Sequence, residues 1–355
     1  MNEYDLVLHV GMPRSGAVLR RALTRLRPQL HTHRVAYIGD PQIARLEHAA
    51  GWGCGPRASS PQASTFDDEL ATLVAAERSH AVGVTSRRPL RTIVSSNRLL
   101  GVGDVGRRDA EQFRPYAAPA TAQVIKALSA RRVQVVLYTQ RQDRLMELTY
   151  LQRMRTGRAH AFEEEFPGCF EPRFDYLELI DRLRTVPGVA DVVVRPVELV
   201  DAGQHAFVND FLGLVGLENR LDLNAMGLDP WPYPPGYSAR GARLALALTP
   251  LMDTRTEHRR LRGFVWDNYS ARERYDTDFL DRDVRRRILD SYAERNRELF
   301  RTYLPDLPVE SYSDDPSTFG LGNVLSQPAP PPPPPLSARV RRGAAAISRR
   351  VKSLR

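Results

Sequence analysis

The 355-residue chain has almost no cysteine, almost no lysine and no long apolar run. Cys54 and Cys169 stand far apart, without CxxC or Cys/His spacing, which excludes a disulfide framework and a thiolate zinc site. No stretch approaches the ~18 to 20 uncharged apolar residues that span a bilayer. The start, Met1-Asn2-Glu3-Tyr4-Asp5, has neither the basic nor the apolar segment of a secretory leader. The expectation is therefore a cytoplasmic body. With 42% hydrophobic and 26% charged residues, wholesale disorder is excluded, and the length suits one large α/β domain or two small ones.

What the chain does have is arginine. Of 51 basic residues only Lys126 and Lys352 are lysines, so arginine stands wherever a cation is wanted. The net charge of +9 is concentrated at one end. From Leu336 to Arg355 there are seven basic residues (Arg339, Arg341, Arg342, Arg349, Arg350, Lys352, Arg355) and no acid, which leaves the rest at about +2 by subtraction. The body is nearly neutral, which argues against a nucleic-acid surface there.

Hydrophobic patterning gives an alternating order of strands and helices. Tyr4 to Val10 is a nearly continuous apolar run, as in a strand buried on both faces of a parallel sheet. It ends in Gly11-Met12-Pro13-Arg14-Ser15-Gly16, after which Leu19, Leu23 and Leu26 recur at helical spacing. Further strands are predicted at Thr92–Ser95, Val133–Tyr138 and Asp191–Val194, with helices at Arg144–Met154 and Asp175–Arg184. The second half reads as helical: Phe207, Phe211, Leu212 and Val215 share a face, Leu244–Leu251 follows, and Asp283–Tyr303 is the longest candidate. Leu228–Tyr237, with four prolines, is read as a loop. The fold class predicted is α/β: a P-loop-type, mostly parallel sheet flanked by helices, with a helical C-terminal half. Residues 1–308 form the domain, 309–335 a Pro-rich linker ending in six consecutive prolines, and 336–355 a basic tail. No internal repeat is present.

A Gly-x-Pro-Arg-Ser-Gly loop between a buried strand and a helix suits an anion. Its backbone N–H groups converge, the helix amino terminus is partly positive, and Arg14 adds a full charge. It is no Walker A loop, because Ala17 and Val18 stand where Lys and Ser/Thr would be needed. A P-loop kinase is disfavoured accordingly. Arg141, just past the Val133 strand, sits where open α/β sheets place their ligands, and Thr149 follows eight residues later. Asp143 is read as the cap of the helix that carries Thr149.

These residues resemble the sulfotransferases that use 3′-phosphoadenosine 5′-phosphosulfate (PAPS). In that family a loop of the form P-[KR]-[ST]-G-[ST]-[ST] binds the 5′-phosphosulfate, and Pro13-Arg14-Ser15-Gly16 matches its first four positions. An Arg and a Ser at the separation of Arg141 and Thr149 hold the 3′-phosphate. Tyr138-Thr139-Gln140-Arg141-Gln142-Asp143, Tyr150-Leu151-Gln152, Val193-Val194-Arg195-Pro196, Asn209-Asp210-Phe211-Leu212 and Ser291–Arg297 resemble the bacterial, glycan-associated branch, in register across roughly residues 5 to 304. The resemblance implies transfer of a sulfuryl group from PAPS to a hydroxyl of a carbohydrate or related acceptor, without a metal. It implies cofactor contacts at Gly11, Pro13, Arg14, Ser15, Gly16, Ala17, Val18, Arg141 and Thr149, with Arg14 also stabilising the departing charge. Trp231, Tyr233, Trp266 and Tyr269 are candidate sugar-stacking surfaces. Arg259-Arg260-Leu261-Arg262-Gly263, read as a basic loop, faintly resembles a family segment that reaches the 3′-phosphate.

The chain departs from the family at three positions. At Ala17 and Val18 the family has hydroxyls that donate to phosphate, and losing them costs on the order of 1 to 3 kcal/mol each, so weak cofactor binding is expected. Asn97 stands where the bacterial branch resembles Ser-Ser-Glu, and an amide is no general base. His9, His33, Asp104 and Asp109 are substitutes that spacing does not rank. The alternative to an enzyme is a weak or inactive descendant that binds a nucleotide or glycan and is tethered by its tail.

In that tail, Leu336, Val340, Ile347, Val351 and Leu354 fall near one helical stripe among arginines, so Ser337–Arg355 reads as a basic amphipathic helix or as a disordered basic tail. An anionic membrane at the inner face, or an acidic protein, is the expected partner. Nucleic acid is disfavoured because the tail has no aromatic residue to stack on bases. Truncation after Gln327 is expected to leave the melting temperature and nucleotide affinity unchanged and to abolish salt-sensitive sedimentation with anionic liposomes. A full-length chain that ignores such liposomes at low salt would remove the membrane reading.

Overall fold

The computed structural model describes residues 4–10, 13–39, 61–82, 91–96, 113–156, 160–165, 174–198, 203–224, 237–270, 279–307 and 312. The chain divides into two units, Met1–Gly322 and Asn323–Arg355, and every described residue belongs to the first. The tail and the proline run lie outside the described residues. Among the described residues no helix is long and apolar enough to cross a membrane.

In chain order the elements are β1 (Leu6–Val10), α1 (Pro13–Thr32), β2 (Val35–Gly39), α2 (Pro61–Val82), β3 (Arg91–Ser96), α3 (Phe113–Ala127) and β4 (Val133–Thr139). There follow α4 (Gln142–Thr156), the short α5 (Phe162–Glu165), α6 (Tyr176–Arg184), β5 (Val189–Pro196) and α7 (Gln204–Leu214). Then come α8 (Ala239–Leu248) with a 3-10 turn (Thr249–Leu251), α9 (Arg255–Tyr269) and α10 (Arg282–Tyr303). The predicted alternation of strands and helices holds, and the class is α/β. The loop expected at Leu228–Tyr237 lies outside the described residues except for Tyr237.

The strands pair in the order β2-β3-β1-β4-β5, and every pairing is parallel. β1 is central, which is why its residues form an unbroken buried run. Successive side chains leave the sheet on opposite faces. Val7, Tyr37, Ile93, Val136 and Tyr138 meet α1 and α7, where Leu19, Leu23, Leu26, Phe207 and Phe211 complete one apolar layer. Leu8, Val10, Val94, Val135 and Leu137 meet the opposite layer, which includes α2, α3, α4, α6 and α10. The crossover from β1 to β2 carries α1 on one face. The later crossovers run back toward β5 and carry helices on the other, as a constant right hand requires.

Local chemistry sets the joints. Both carboxylate oxygens of Asp5 accept backbone N–H groups, from Arg131 at 2.7 Å and Arg132 at 2.8 Å, which locks the start of β1 to the turn before β4. Gly188 makes the turn into β5 at φ 91°, where a Cβ would come within 3.2 Å of Ile125. Asp175 caps α6 by accepting from Leu177 N and Glu178 N.

Phe211 is fully buried in the layer formed with α1. Phe211→Ala is expected to destabilise the protein by about 3 to 5 kcal/mol in urea unfolding, because it leaves a cavity that the surrounding sheet and helices fill only in part. Leu251→Ala, at a side chain 68% exposed, is the control and should stay within about 0.5 kcal/mol.

Candidate functional site

In an open parallel sheet a ligand crevice forms where neighbouring strands send their connections in opposite directions. Here β1 leads out toward β2 and β4 leads toward β5, so that point lies at the carboxyl ends of β1 and β4. Val10 pairs in register with Leu137, and both strands are followed within a few residues by a helix start, α1 at Pro13 and α4 at Gln142. Two helix amino termini therefore face the same edge of the sheet.

On the β1 side, Pro13, Arg14, Ser15, Gly16 and Ala17 begin α1, with Pro13 at the first helical position, where its missing N–H costs nothing. Their side chains, together with Gly11, Met12, Asn97, Asp104 and Asp109, lie outside the described residues. Val18 is described: its side chain is 2% exposed and packs in the α1 layer, so it is a core side chain and only its backbone N–H is left to meet a cofactor. A threonine there would bury a hydroxyl among apolar side chains.

On the β4 side, backbone groups that leave the sheet are taken over by side chains. The Tyr176 hydroxyl donates to Gln140 O at 2.6 Å and accepts from Gln140 N at 3.1 Å. Glu198, just past β5, accepts Arg141 N–H at 3.1 Å through Oε1 and the Tyr312 hydroxyl at 2.9 Å through Oε2. Gln142 and Asn296 of α10 exchange a reciprocal amide pair at 2.8 and 3.0 Å. Burial raises the Tyr176 and Tyr312 hydroxyl pKa values, with Glu198 adding to it, so both stay protonated.

Arg141 is 3% exposed, and its Nε and Nη2 form a fork on Asp143, at 2.8 and 3.0 Å. Asp143 also accepts from Arg285 Nη1 of α10 at 3.0 Å. Arg285 Nη2 reaches Glu147 Oε1 at 2.5 Å, and Arg144 Nη1 reaches Glu147 Oε2 at 2.8 Å. Complete burial pushes the Asp143 carboxyl upward, but the guanidinium of Arg141, then those of Arg285 and Arg144, outweigh it and hold it below its ordinary value. Asp143 is therefore not the helix cap. The Arg141 carbonyl accepts the first helical N–H groups, from Arg144 and Leu145, and Asp143 inside the first turn anchors the guanidinium instead.

Thr149 is buried two turns further along α4, about 12 Å of axial rise from Arg141. Its hydroxyl donates to Leu145 O at 2.7 Å, which leaves its oxygen as an acceptor. Other candidates fall away from this edge. His33 lies before β2, at the opposite, amino edge of the parallel sheet. Arg259–Gly263 is helical, inside α9, and not a loop. Trp266 and Tyr269 pack against the core, and Trp231 and Tyr233 lie outside the described residues. Among the described residues no His, Cys, Asp and Glu side chains gather into a group able to hold a metal. Glu198, Arg285 and Tyr312 escape the sequence reading. The one signal for Tyr312 was an aromatic residue standing in a Ser/Asp/Pro-rich run.

Comparison with protein-family models, with curated proteins and with solved structures finds no match.

His9, near the carboxyl end of β1, is fully buried between the rings of Tyr138 and Phe211. Its Nδ1 lies 2.8 Å from Ser95 Oγ, while Nε2 is buried with no hydrogen-bond partner among the described residues. Desolvation lowers its pKa to about 3, far from the neutral range a general base needs, so His9 is a poor substitute for one. The unfolded chain takes up a proton at His9 near pH 6.5, whereas the folded chain does so only near pH 3. Stability from this residue is thus fully present above about pH 6.5 and is lost as the pH falls toward 3. The double variant His9→Leu/Ser95→Ala removes both partners and should match the wild type at pH 7. It should lose stability less steeply between about pH 6.5 and 3. Equal slopes in acid-series urea unfolding would contradict this.

Proposed function

We propose that the protein is a sulfotransferase that moves the sulfuryl group of PAPS to a hydroxyl of a carbohydrate or related acceptor. The observation that carries this reading is the pairing, at the switch point of the sheet, of the α1 start after β1 with Arg141 at the α4 start after β4. These are the two places where the sequence resembles the family. The finer description of the fold as P-loop-type belongs to the same proposal, supported by a central β1 followed within three residues by a helix.

On this reading the helix start at Pro13–Gly16 receives the 5′-phosphosulfate, and the Arg14 charge offsets the negative charge that grows on the bridging oxygen. Arg141 and Thr149 receive the 3′-phosphate, Arg141 as a preset cation and Thr149 with the hydroxyl that now donates to Leu145 O. The acceptor oxygen bonds to sulfur in line while the sulfur–oxygen bond to the phosphate breaks. The acceptor proton passes to a base, and adenosine 3′,5′-bisphosphate leaves as a stable anion. Positioning and charge carry most of the acceleration, as in phosphoryl transfer. The basic tail would hold the enzyme at an anionic surface, an inner membrane face or an acidic protein.

A second reading, a nucleotide- or glycan-binding protein without turnover, is favoured by a specific observation. The Arg141 fork is engaged with a fully buried Asp143, and a 3′-phosphate has to compete with that carboxylate. Ala17, Val18 and Asn97 point the same way.

Calorimetric titration is expected to show adenosine 3′,5′-bisphosphate binding at least about tenfold more tightly than 5′-AMP, the size of a charge-assisted contact worth roughly 1.5 kcal/mol or more. Arg141→Ala should erase the preference and Arg141→Lys should keep part of it. Equal binding of the two nucleotides, or none, would remove the sulfotransferase reading. Sulfuryl transfer from PAPS then separates the enzyme from the binding protein.

A further inference from the structure

α10 ends at Tyr303, and the composition beyond it is that of a linker, yet Tyr312 is 1% exposed. The body therefore reaches past Pro308, where the sequence suggested its end. The Tyr312 ring packs edge-on against Phe300 of α10, with centroids 4.9 Å apart at 65°. Packing alone would be served by phenylalanine. The hydroxyl does something further: it donates to Glu198 Oε2 at 2.9 Å and lies 3.2 Å from Thr139 Oγ1, whose own proton has both the Tyr312 oxygen and Arg195 O, at 3.4 Å, within reach.

The other oxygen of Glu198 accepts Arg141 N–H at 3.1 Å. Arg141 stands just before the first helical residue of α4, where a backbone N–H has no acceptor inside its own helix. One carboxylate thus joins the Tyr312 hydroxyl to the backbone of the residue that leads from β4 into α4 at the switch point. Because burial and the nearby Glu198 charge hold the phenol protonated, this donor persists across the physiological pH range. The backbones of Gln140 and Arg141 each have such a side-chain partner, Tyr176 and Glu198 respectively, while at Thr139 it is the side-chain hydroxyl that meets Tyr312.

We propose that Tyr312 is a positioning residue for the anion contact of Arg141, acting through Glu198 on the Arg141 backbone. The anion-contact half of this statement rests on the functional reading above. The positioning half rests on the geometry alone, and the test separates the two.

In the full-length chain, Tyr312→Phe keeps the ring against Phe300 and removes only the hydroxyl. Hydrogen exchange at the Arg141 amide is expected to quicken about tenfold, as for loss of one hydrogen bond to a charged group, while the amides of β1 and the melting temperature stay near their wild-type values. Glu198→Gln should quicken the same amide, since it weakens the same acceptor. The preference for adenosine 3′,5′-bisphosphate over 5′-AMP should fall severalfold in Tyr312→Phe, with 5′-AMP binding little changed. Unchanged exchange at Arg141, or exchange that quickens equally throughout the sheet, would overturn the proposal. If the wild type itself fails to prefer the bisphosphate, the anion-contact half falls with the sulfotransferase reading, and faster exchange at Arg141 alone would still uphold the positioning half.

Discussion

Asp143 is fully buried and carries two guanidinium groups, one from its own helix start and one from α10, and the carboxyl edge of the sheet is arranged around it. A carboxylate at such depth is tolerable only with cations in contact, and arginines at such depth only with carboxylates. Arg285 meets this condition twice, through Asp143 and Glu147. Glu147 in turn accepts Phe279 N–H at 2.7 Å and Leu280 N–H at 2.9 Å, so the same network fixes the chain leading into α10. Apolar side chains of similar volume would hold α4 to α10 about as tightly or more so. What the ion network contributes is one allowed alignment, because shifting either helix by a turn would strand several charges without partners.

From that alignment follows the accounting of backbone groups where β4 ends. A central strand leaving a sheet exposes N–H and C=O groups that no neighbouring strand can take. Tyr176, the first residue of α6, serves Gln140, and Glu198, just past β5, serves Arg141. Each partner arrives because its own element is held in place: β5 pairs with β4, and α6 packs on α3, β5 and α10. Asp175, beside Tyr176, receives Arg295 of α10 at 2.7 Å, which raises the Arg295 pKa and ties α6 to the same helix. At the β4 end the hydrogen bonds are made by side chains from four separate segments, so no one of them can leave without stranding a buried polar group.

This pattern explains which parts of the structure were legible in the sequence. β1, β3, β4 and β5 announced themselves as apolar runs, and α6 and α10 as stripes, because their burial is written in their own composition. α2 is rich in alanine and has little contrast between its faces, and α3 contains Pro119, so neither has the signature of an amphipathic helix. α9 was misread from its arginines and Gly263, although Thr254 and Glu257 form a capping box that marks its start. α4 hides best. Asp143, Arg144 and Glu147 are charged and yet buried, and the residue that makes this tolerable, Arg285, lies more than a hundred residues away. Arg141 could be named from its place after a strand and from family resemblance. Its partners Asp143 and Glu198, and Tyr312 behind Glu198, emerge only from pairings between distant segments.

The same network bears on what an anion would meet at this edge. Among the described residues three guanidinium groups, of Arg141, Arg144 and Arg285, stand among three carboxylates, of Asp143, Glu147 and Glu198, so these six charges leave no surplus to attract a phosphate from solution. Long-range steering is therefore weak, as befits a body that is nearly neutral. At contact distance the balance changes. A guanidinium already clamped by Asp143 has lost its rotamer freedom, so an anion that fits it need not order the side chain, and that saving offsets part of the competition with the carboxylate. For the anion contact proposed at Arg141, affinity would then depend on shape more than on net charge. A ligand with one phosphate in the right place is favoured over a more highly charged one that fits poorly. On the sulfotransferase reading proposed above, selection of one nucleotide among many abundant phosphates would rest on this fit, whether or not the binding is tight.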